Sequence, residues 1–337
     1  MKKLIFILLF IIFLSGCVKQ PEEKPQITTT IKITTTPTTT TEPKGPVEVH
    51  DQSISGGIKQ DQIWSGTIHV TGDVEVEEGT TLRIEPGTVV KIAAQSDDQH
   101  GGTDHPHDPP FPKDPDRLET QSTRILINGI IQAIGEPDNM ITFTSDSENP
   151  TTWDWDGLSV RHGKLEYVIV EYARYNNLQD SSDVIIANSI IRNSLECCLC
   201  IGHNKPVSPQ ILNNDIYNCG HECIDYAGGS ALIKGNHFHR ENPEIQPDPE
   251  RGGCGVIVYK NAYPTIEDNT FEKHSNAILF LGNSLNEEEE GKKVTVRGNI
   301  IKNNDVGINI APSYSSDLIV MESNQLINNE KDEAHTG

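Results

Sequence analysis

From Trp64 onward the apolar positions come in short runs. Four to six β-formers alternate with Gly, Asn, Asp or Pro, and no long stretch has the period of an amphipathic helix. This pattern predicts an all-β chain of short strands. In the first half, Trp64-Ser-Gly-Thr-Ile-His-Val and the segment Val74 to Ile92 switch between strand and Gly turn every few residues. In the second half one pattern recurs six times: an Asn, a short apolar strand, then a polar turn. The leading residues are Asn188, Asn214, Asn236, Asn269, Asn299 and Asn324, at intervals of 26, 22, 33, 30 and 25 residues.

Such a period suits one coil of a solenoid with three short strands and three turns. Equivalent residues then stack on successive coils at about 4.8 Å, the spacing of neighbouring strands. A stacked Asn column can hydrogen-bond along the axis, and Asn tolerates the left-handed backbone of a tight turn. The residues two positions on are expected to point inward: Ile190, Ile216, Phe238, Phe271, Ile301 and Leu326. The two longest intervals contain insertions, one rich in Pro and acid at 241–251 and one with a Glu run at 284–292.

The Gly-punctuated first half, Ile141-Thr-Phe-Thr-Ser, Trp155-Asp-Gly-Leu and Leu165 to Ala173 complete the pattern. Together with the Asn repeat they resemble exported right-handed parallel β-helix proteins of the pectin-lyase-like kind, including surface lipoproteins. The resemblance spans nearly all of residues 62–330. It implies a right-handed parallel β-helix of roughly ten coils. It does not imply one activity, because that scaffold carries lyases, hydrolases, epimerases, adhesins and metal-delivery proteins.

The N-terminal pattern differs. Lys2 and Lys3 precede an unbroken apolar run of 11 residues, Leu4 to Leu14. That is about half the ~20 residues of a membrane-spanning helix, so it reads as the core of a signal peptide. Leu14-Ser15-Gly16-Cys17 resembles a prokaryotic lipobox, which implies cleavage after Gly16 and acylation of Cys17. Residues 1–16 are thus expected to be a lipoprotein signal peptide. Residues 17–46, with three Thr runs and five prolines, are expected to form a disordered tether. Residues 47–337 are expected to form the β-helix. The implied location is outside the cytoplasm, held on the membrane by the N-terminal lipid.

Charge narrows the partners. With 27 basic and 49 acidic residues the formal charge is −22. A polyanion repels nucleic acid, so none is expected as a partner. It also repels an acidic polysaccharide unless a cation such as Ca2+ intervenes.

Six cysteines besides Cys17 crowd the coils between Cys197 and Cys254. Counting nine residues from the leading Asn puts Cys197 and Cys223 in one inward slot, with Ile278 and Ile308 further along and Cys198 facing the other way. Three readings stay open. The cysteines can be buried thiols acting as small hydrophobes. They can form disulfides, as an exported chain permits, although stacked strand neighbours stand somewhat further apart than a disulfide prefers. Or Cys197, Cys219, His221 and Cys223 can hold Zn2+ or copper. A second candidate pair for a divalent ion is His105 and His107, in a Pro-rich acidic insertion.

Trp153, Trp155, Tyr172 and Tyr175 are the densest group of aromatics and the candidates for stacking on sugar rings. Glycosidases need two carboxylates flanking the scissile bond, and lyases need a carboxylate with Arg or Lys. Arg161, Lys164 and Arg174 are available, but no spacing singles them out. No catalytic set is therefore assigned. The leading expectation is a cell-surface, lipid-anchored β-helix that binds a glycan or another surface component, such as a surface layer. The alternatives are a polysaccharide lyase or glycoside hydrolase, and a Cu- or Zn-binding β-helix protein.

Overall fold

The computed structural model describes residues 45–98, 122–178, 183–241, 253–284 and 291–336. Residues 1–44 fall outside them, with Cys17, the apolar run and most of the expected tether. So do His105, His107 and most of both insertions.

The unit Gly45–Gly337 is a right-handed parallel β-helix. Among the described residues 29 strands form one sheet, and the pairings between these strands are parallel. From Ile185 onward each strand pairs with the third one after it, which winds three faces. The first face stacks Ile190–Ser194, Asp215–Cys219, His237–His239, Thr270–Glu272, Ile300–Lys302 and Gln325–Ile327. The second stacks Leu199–Ile201, Ile224–Tyr226, Val256–Lys260, Asn276–Ser284, Val306–Ile310 and Lys331–Ala334. The third runs from Ile185–Ala187 through Gln210–Leu212, Leu232–Lys234, Thr265–Glu267 and Val294–Arg297 to Ile319–Glu322.

Side chains alternate across each strand, so one column per face points in. Ile191, Ile216, Phe238, Phe271, Ile301 and Leu326 form the inward column of the first face. Phe238 and Phe271 stack with ring centroids 4.7 Å apart. Ile186, Ile211, Ile233, Ile266 and Val296 line the third face in the same way.

The Asn ladder is present, shifted at one end. Asn214, Asn236, Asn269, Asn299 and Asn324 are its rungs. In the first four, the backbone N–H and the side-chain Nδ2–H donate to Oδ1 of the next rung, at 2.8–3.1 Å. Asn188 is not a rung. Ile190 pairs with Asp215, so Ser189 stands beside Asn214 and its N–H donates to Asn214 Oδ1 at 3.0 Å. Asn188 belongs to the neighbouring column with Asn213, Gly235, Asp268, Gly298 and Ser323, all at φ between 51° and 67°. That column needs left-handed backbone, which Asn, Asp and Gly supply most cheaply. The one-residue shift turns Ile190 outward and puts Ile191 in the core, where Ile190 was expected.

The same shift moves the cysteines. Leu199 pairs with Ile224, so Cys198, not Cys197, stands beside Cys223. Cys198 points into the core rather than away from it. Ile278 and Ile308 stack with Ile224, one position beyond the cysteine slot.

Candidate functional site

The outward side of the first face carries two parallel columns. One runs Glu171, Arg192, Tyr217, His239, Glu272, Lys302. The other, two residues earlier on each strand, runs Ile169, Ile190, Asp215, His237, Thr270, Ile300. Their neighbours in the chain fill the core, so strand alternation turns these side chains outward, although Glu171 and His239 are themselves covered by their neighbours.

The columns are cross-linked. Arg192 Nη1 donates to Tyr217 Oη at 2.7 Å, and its Nη2 is paired with Glu171 at 2.7 Å. Burial alone would lower the Arg192 pKa, but the hydrogen bonds to Tyr217 and Glu171 outweigh it and raise it. Tyr217 stacks on His239 with centroids 4.5 Å apart, and His239 stacks on His237 at 4.2 Å. His239 Nε2 lies 2.9 Å from Asp215 Oδ1, and His237 Nδ1 lies 3.4 Å from the same oxygen. His237 Nε2 reaches Glu272 Oε1 at 2.8 Å, and Lys302 reaches Glu272 at 3.2 Å. Burial pushes the Asp215 carboxyl up, yet the hydrogen bonds from His237 and His239 prevail and hold it far below the usual carboxylate range. The bond to Asp215 raises His237 against partial burial, with Glu272 adding to the rise. A phenol, two imidazoles, a guanidinium and carboxylates thus share one strip of surface. These are the groups used for general acid–base work, for metal ligation and for hydrogen-bonding sugars.

None of these residues was assigned as a site residue on sequence grounds; Asp215 alone resembled part of a polygalacturonase motif, whose remaining elements are missing. They come from coils 21 to 35 residues apart in the chain. The signal was present in the repeat: Asp215 and His237 follow ladder residues by one position, and Tyr217, His239, Glu272 and Lys302 by three. Only Arg192, three positions after Ser189, needed the corrected register; for the others the sequence does not show that outward residues of successive coils touch.

The expected sites fare differently. Trp155 is fully buried, and its indole N–H donates to the Glu171 carbonyl at 2.9 Å, so it packs the coil and offers no ring to a sugar. Trp153 and Tyr172 are half-buried at left-handed turn positions of adjacent coils, where the Asp154 N–H donates to the Tyr172 carbonyl at 3.1 Å. Tyr172 directly follows Glu171 and so borders the strip. Tyr175 lies further along, under Arg174 at 5.3 Å. Arg174 is buried against Glu196 and Asp156, a structural role.

The grouping Cys197, Cys219, His221, Cys223 does not form a metal site. Cys197 is bonded to Cys200, and Cys219 to Cys198. Those sulfurs carry no thiolate to give a metal. Cys219 is aligned with Ser194, not with Cys198, so the Cys198–Cys219 bond spans two coils diagonally and escapes the spacing of stacked equivalents. Cys223 remains a thiol, its S–H against Cys219 Sγ at 3.4 Å, and burial pushes its pKa far up. The buried thiol of Cys254 is pushed up to about 12, again chiefly by burial.

The solenoid and its displayed strip define a parallel β-helix that presents a polar, aromatic side surface. Residues 177–335 match the family model described as the right handed beta helix region, in agreement with the right-handed parallel β-helix fold of the chain. Among solved structures it is similar to PfbA, a surface adhesin of Streptococcus pneumoniae. The identity is 14%, the TM-score 0.42, and the match covers 81% of this chain and 85% of that one. It is also similar to the A-module of a mannuronan C-5 epimerase of Azotobacter vinelandii, at 13% identity and TM-score 0.39, covering 82% and 91%. No curated protein sequence matches it.

Proposed function

We propose that this chain is an exported, lipid-anchored β-helix protein that binds a glycan along the outward strip of its first face. The observation that carries the reading is the file Glu171–Arg192–Tyr217–His239–Glu272–Lys302, flanked by the outward Ile169, Ile190 and Ile300. Five coil steps at about 4.8 Å make it roughly 24 Å long, enough for several sugar units. It alternates hydrogen-bonding groups with stacked rings and apolar patches, the mixture that a sugar chain with polar edges and apolar faces requires. The strip replaces the Trp155 cluster as the binding surface.

The apolar run Leu4 to Leu14 and the lipobox-like Leu14-Ser15-Gly16-Cys17 support export and acylation at Cys17. Two disulfides fit the oxidising side of a membrane. Fatty-acid labelling of the expressed chain, abolished by Cys17→Ala, tests the anchor.

A second reading, a carbohydrate-active enzyme, is favoured by the contact of Arg192 with Tyr217 and the stacking of Tyr217 on His239. The two readings part in one experiment. Full-chain protein in detergent is passed over a glycan array, and bound glycans are analysed for cleavage or epimerisation. Retention of unchanged glycan, weakened severalfold by Arg192→Ala and Tyr217→Phe, supports binding. Altered glycan, absent with Tyr217→Phe, establishes the enzyme. Failure to retain or alter any glycan overturns both.

A further inference from the structure

We propose that Asp215, His237 and His239 bind a divalent transition-metal ion, with Zn2+ the ion that their chemistry fits best. One atom of each residue lies within 4.8 Å of the other two. The three arrive there for a simple reason. His237 and His239 flank the inward Phe238 on one strand, so both rings point out, and Asp215 stands opposite His237 on the preceding coil.

The spacing suits a tetrahedral ion. Ligand bonds of about 2.0–2.1 Å at tetrahedral angles put donor atoms about 3.3 Å apart. Asp215 Oδ1 is 3.4 Å from His237 Nδ1 and 2.9 Å from His239 Nε2. The two histidine nitrogens lie within 4.8 Å of each other, and rotation of the half-open Asp215 and His237 toward the buried His239 closes the fit, with protons displaced from the two nitrogens.

The ring atoms facing away from this point give a second, independent observation. His237 Nε2 is held by Glu272 at 2.8 Å, and His239 Nδ1 lies 3.5 Å from Glu241. A carboxylate on the far nitrogen fixes the tautomer and orientation of a ligating histidine and strengthens its near nitrogen as a donor. His237 has this support in full, whereas Glu241 only approaches His239 from solvent. Two imidazoles and one carboxylate favour Zn2+ and its transition-metal neighbours over Ca2+, which takes six to eight oxygens. The His239 side chain is nearly buried at 6% exposure, whereas Asp215 and His237 are about two-fifths open, at 42% and 41%. The ion is thereby held by three residues with its fourth position facing solvent, beside Tyr217.

The inference does not rest on the glycan reading, because metal uptake is measured with no glycan present. Full-chain protein in detergent is stripped with a chelator, dialysed and titrated with ZnCl2, and bound metal is counted by elemental analysis. One Zn2+ per chain is expected, undisturbed by excess CaCl2. Asp215→Asn and His237→Gln should each weaken uptake roughly tenfold or more, while His203→Gln leaves it unchanged. Circular dichroism checks that each variant is folded. Co2+ substitution should give the visible bands of a nitrogen–oxygen site. Absence of stoichiometric uptake overturns the proposal. So does uptake that survives in the Asp215→Asn, His237→Gln, His239→Gln triple variant, or a sulfur-to-cobalt charge-transfer band, which would place the ion on Cys223 or Cys254.

Discussion

Asn236 and Asn269 are joined by two hydrogen bonds that end on one atom. The Asn236 backbone N–H and its Nδ2–H both donate to Asn269 Oδ1, at 2.8 and 3.0 Å. Asn269 in turn donates through Nδ2 to the Ile233 carbonyl at 2.9 Å and to Asn299 Oδ1 at 3.0 Å. Asn269 thus satisfies two buried donors and one carbonyl acceptor of the preceding coil at once.

Asn269→Ala should therefore cost more than one hydrogen bond. It strands two donors of Asn236, which is itself buried. A loss of about 2–4 kcal/mol is expected. Asn324→Ala, at the half-buried end of the ladder, should cost about 1 kcal/mol because water replaces part of what is lost. Urea denaturation of the two variants checks this, and equal losses would count against the ladder as the source.

The Cys198–Cys219 disulfide closes a sequence separation of 21 residues, and Cys197–Cys200 one of 3. On loop-closure entropy the longer crosslink contributes about 3 kcal/mol and the shorter one about half that. Cys198→Ser with Cys219→Ser should lower the denaturation midpoint about twice as far as the same change at Cys197 and Cys200. A larger effect from the short loop would show that chain entropy is not the cause.

Cys223 and Cys254 are buried thiols whose pKa values are raised by burial. The thiolate is the reactive form, so both should resist iodoacetamide in the native protein. Mass spectrometry after denaturation without reductant should find these two alkylated. Rapid native labelling of either would mean that the coil opens there.

Two histidines should give opposite pH dependence. His274 is buried with its Nδ1 3.2 Å from the Gly253 carbonyl, and burial lowers its pKa to about 4 despite that contact. A depressed histidine favours the fold above its unfolded value near 6.5 and loses that contribution as pH falls toward about 4. The loss is about 3 kcal/mol. His237 is raised by Asp215, so its contribution is complete below about 6.5 and disappears as pH rises through the folded value. Asp215, depressed by the two histidines, contributes above about pH 4 and loses that contribution in stronger acid. His274→Leu should flatten the stability profile between pH 4 and 6.5, and His237→Gln should flatten it on the alkaline side. Urea midpoints measured across pH decide both, and unchanged slopes would refute the assignment.

What the sequence determined by itself was the periodic part. Alternation of short apolar runs with turn residues predicts parallel coils, and the spacing from Asn214 to Asn324 predicts the ladder that the structure contains. Periodicity is legible because each coil repeats the same burial problem with the same residue types. Register is not. Asn188 satisfies the pattern equally well as a rung or as the left-handed turn residue before one, and only the pairing of Ile190 with Asp215 distinguishes them. A one-residue difference exchanges inside for outside, so the misplacement of Ile190, Cys197 and Cys198 has a single origin. The tertiary structure also decided which polar side chains meet. Tyr217, His239, Glu272 and Arg192 are ordinary residues in the chain, and they become one surface only when coils stack at strand spacing. It decided the fate of Trp155 and the pairing of Cys198 with Cys219 for the same reason. Composition states which groups are available, but the path of the backbone sets which of them point the same way.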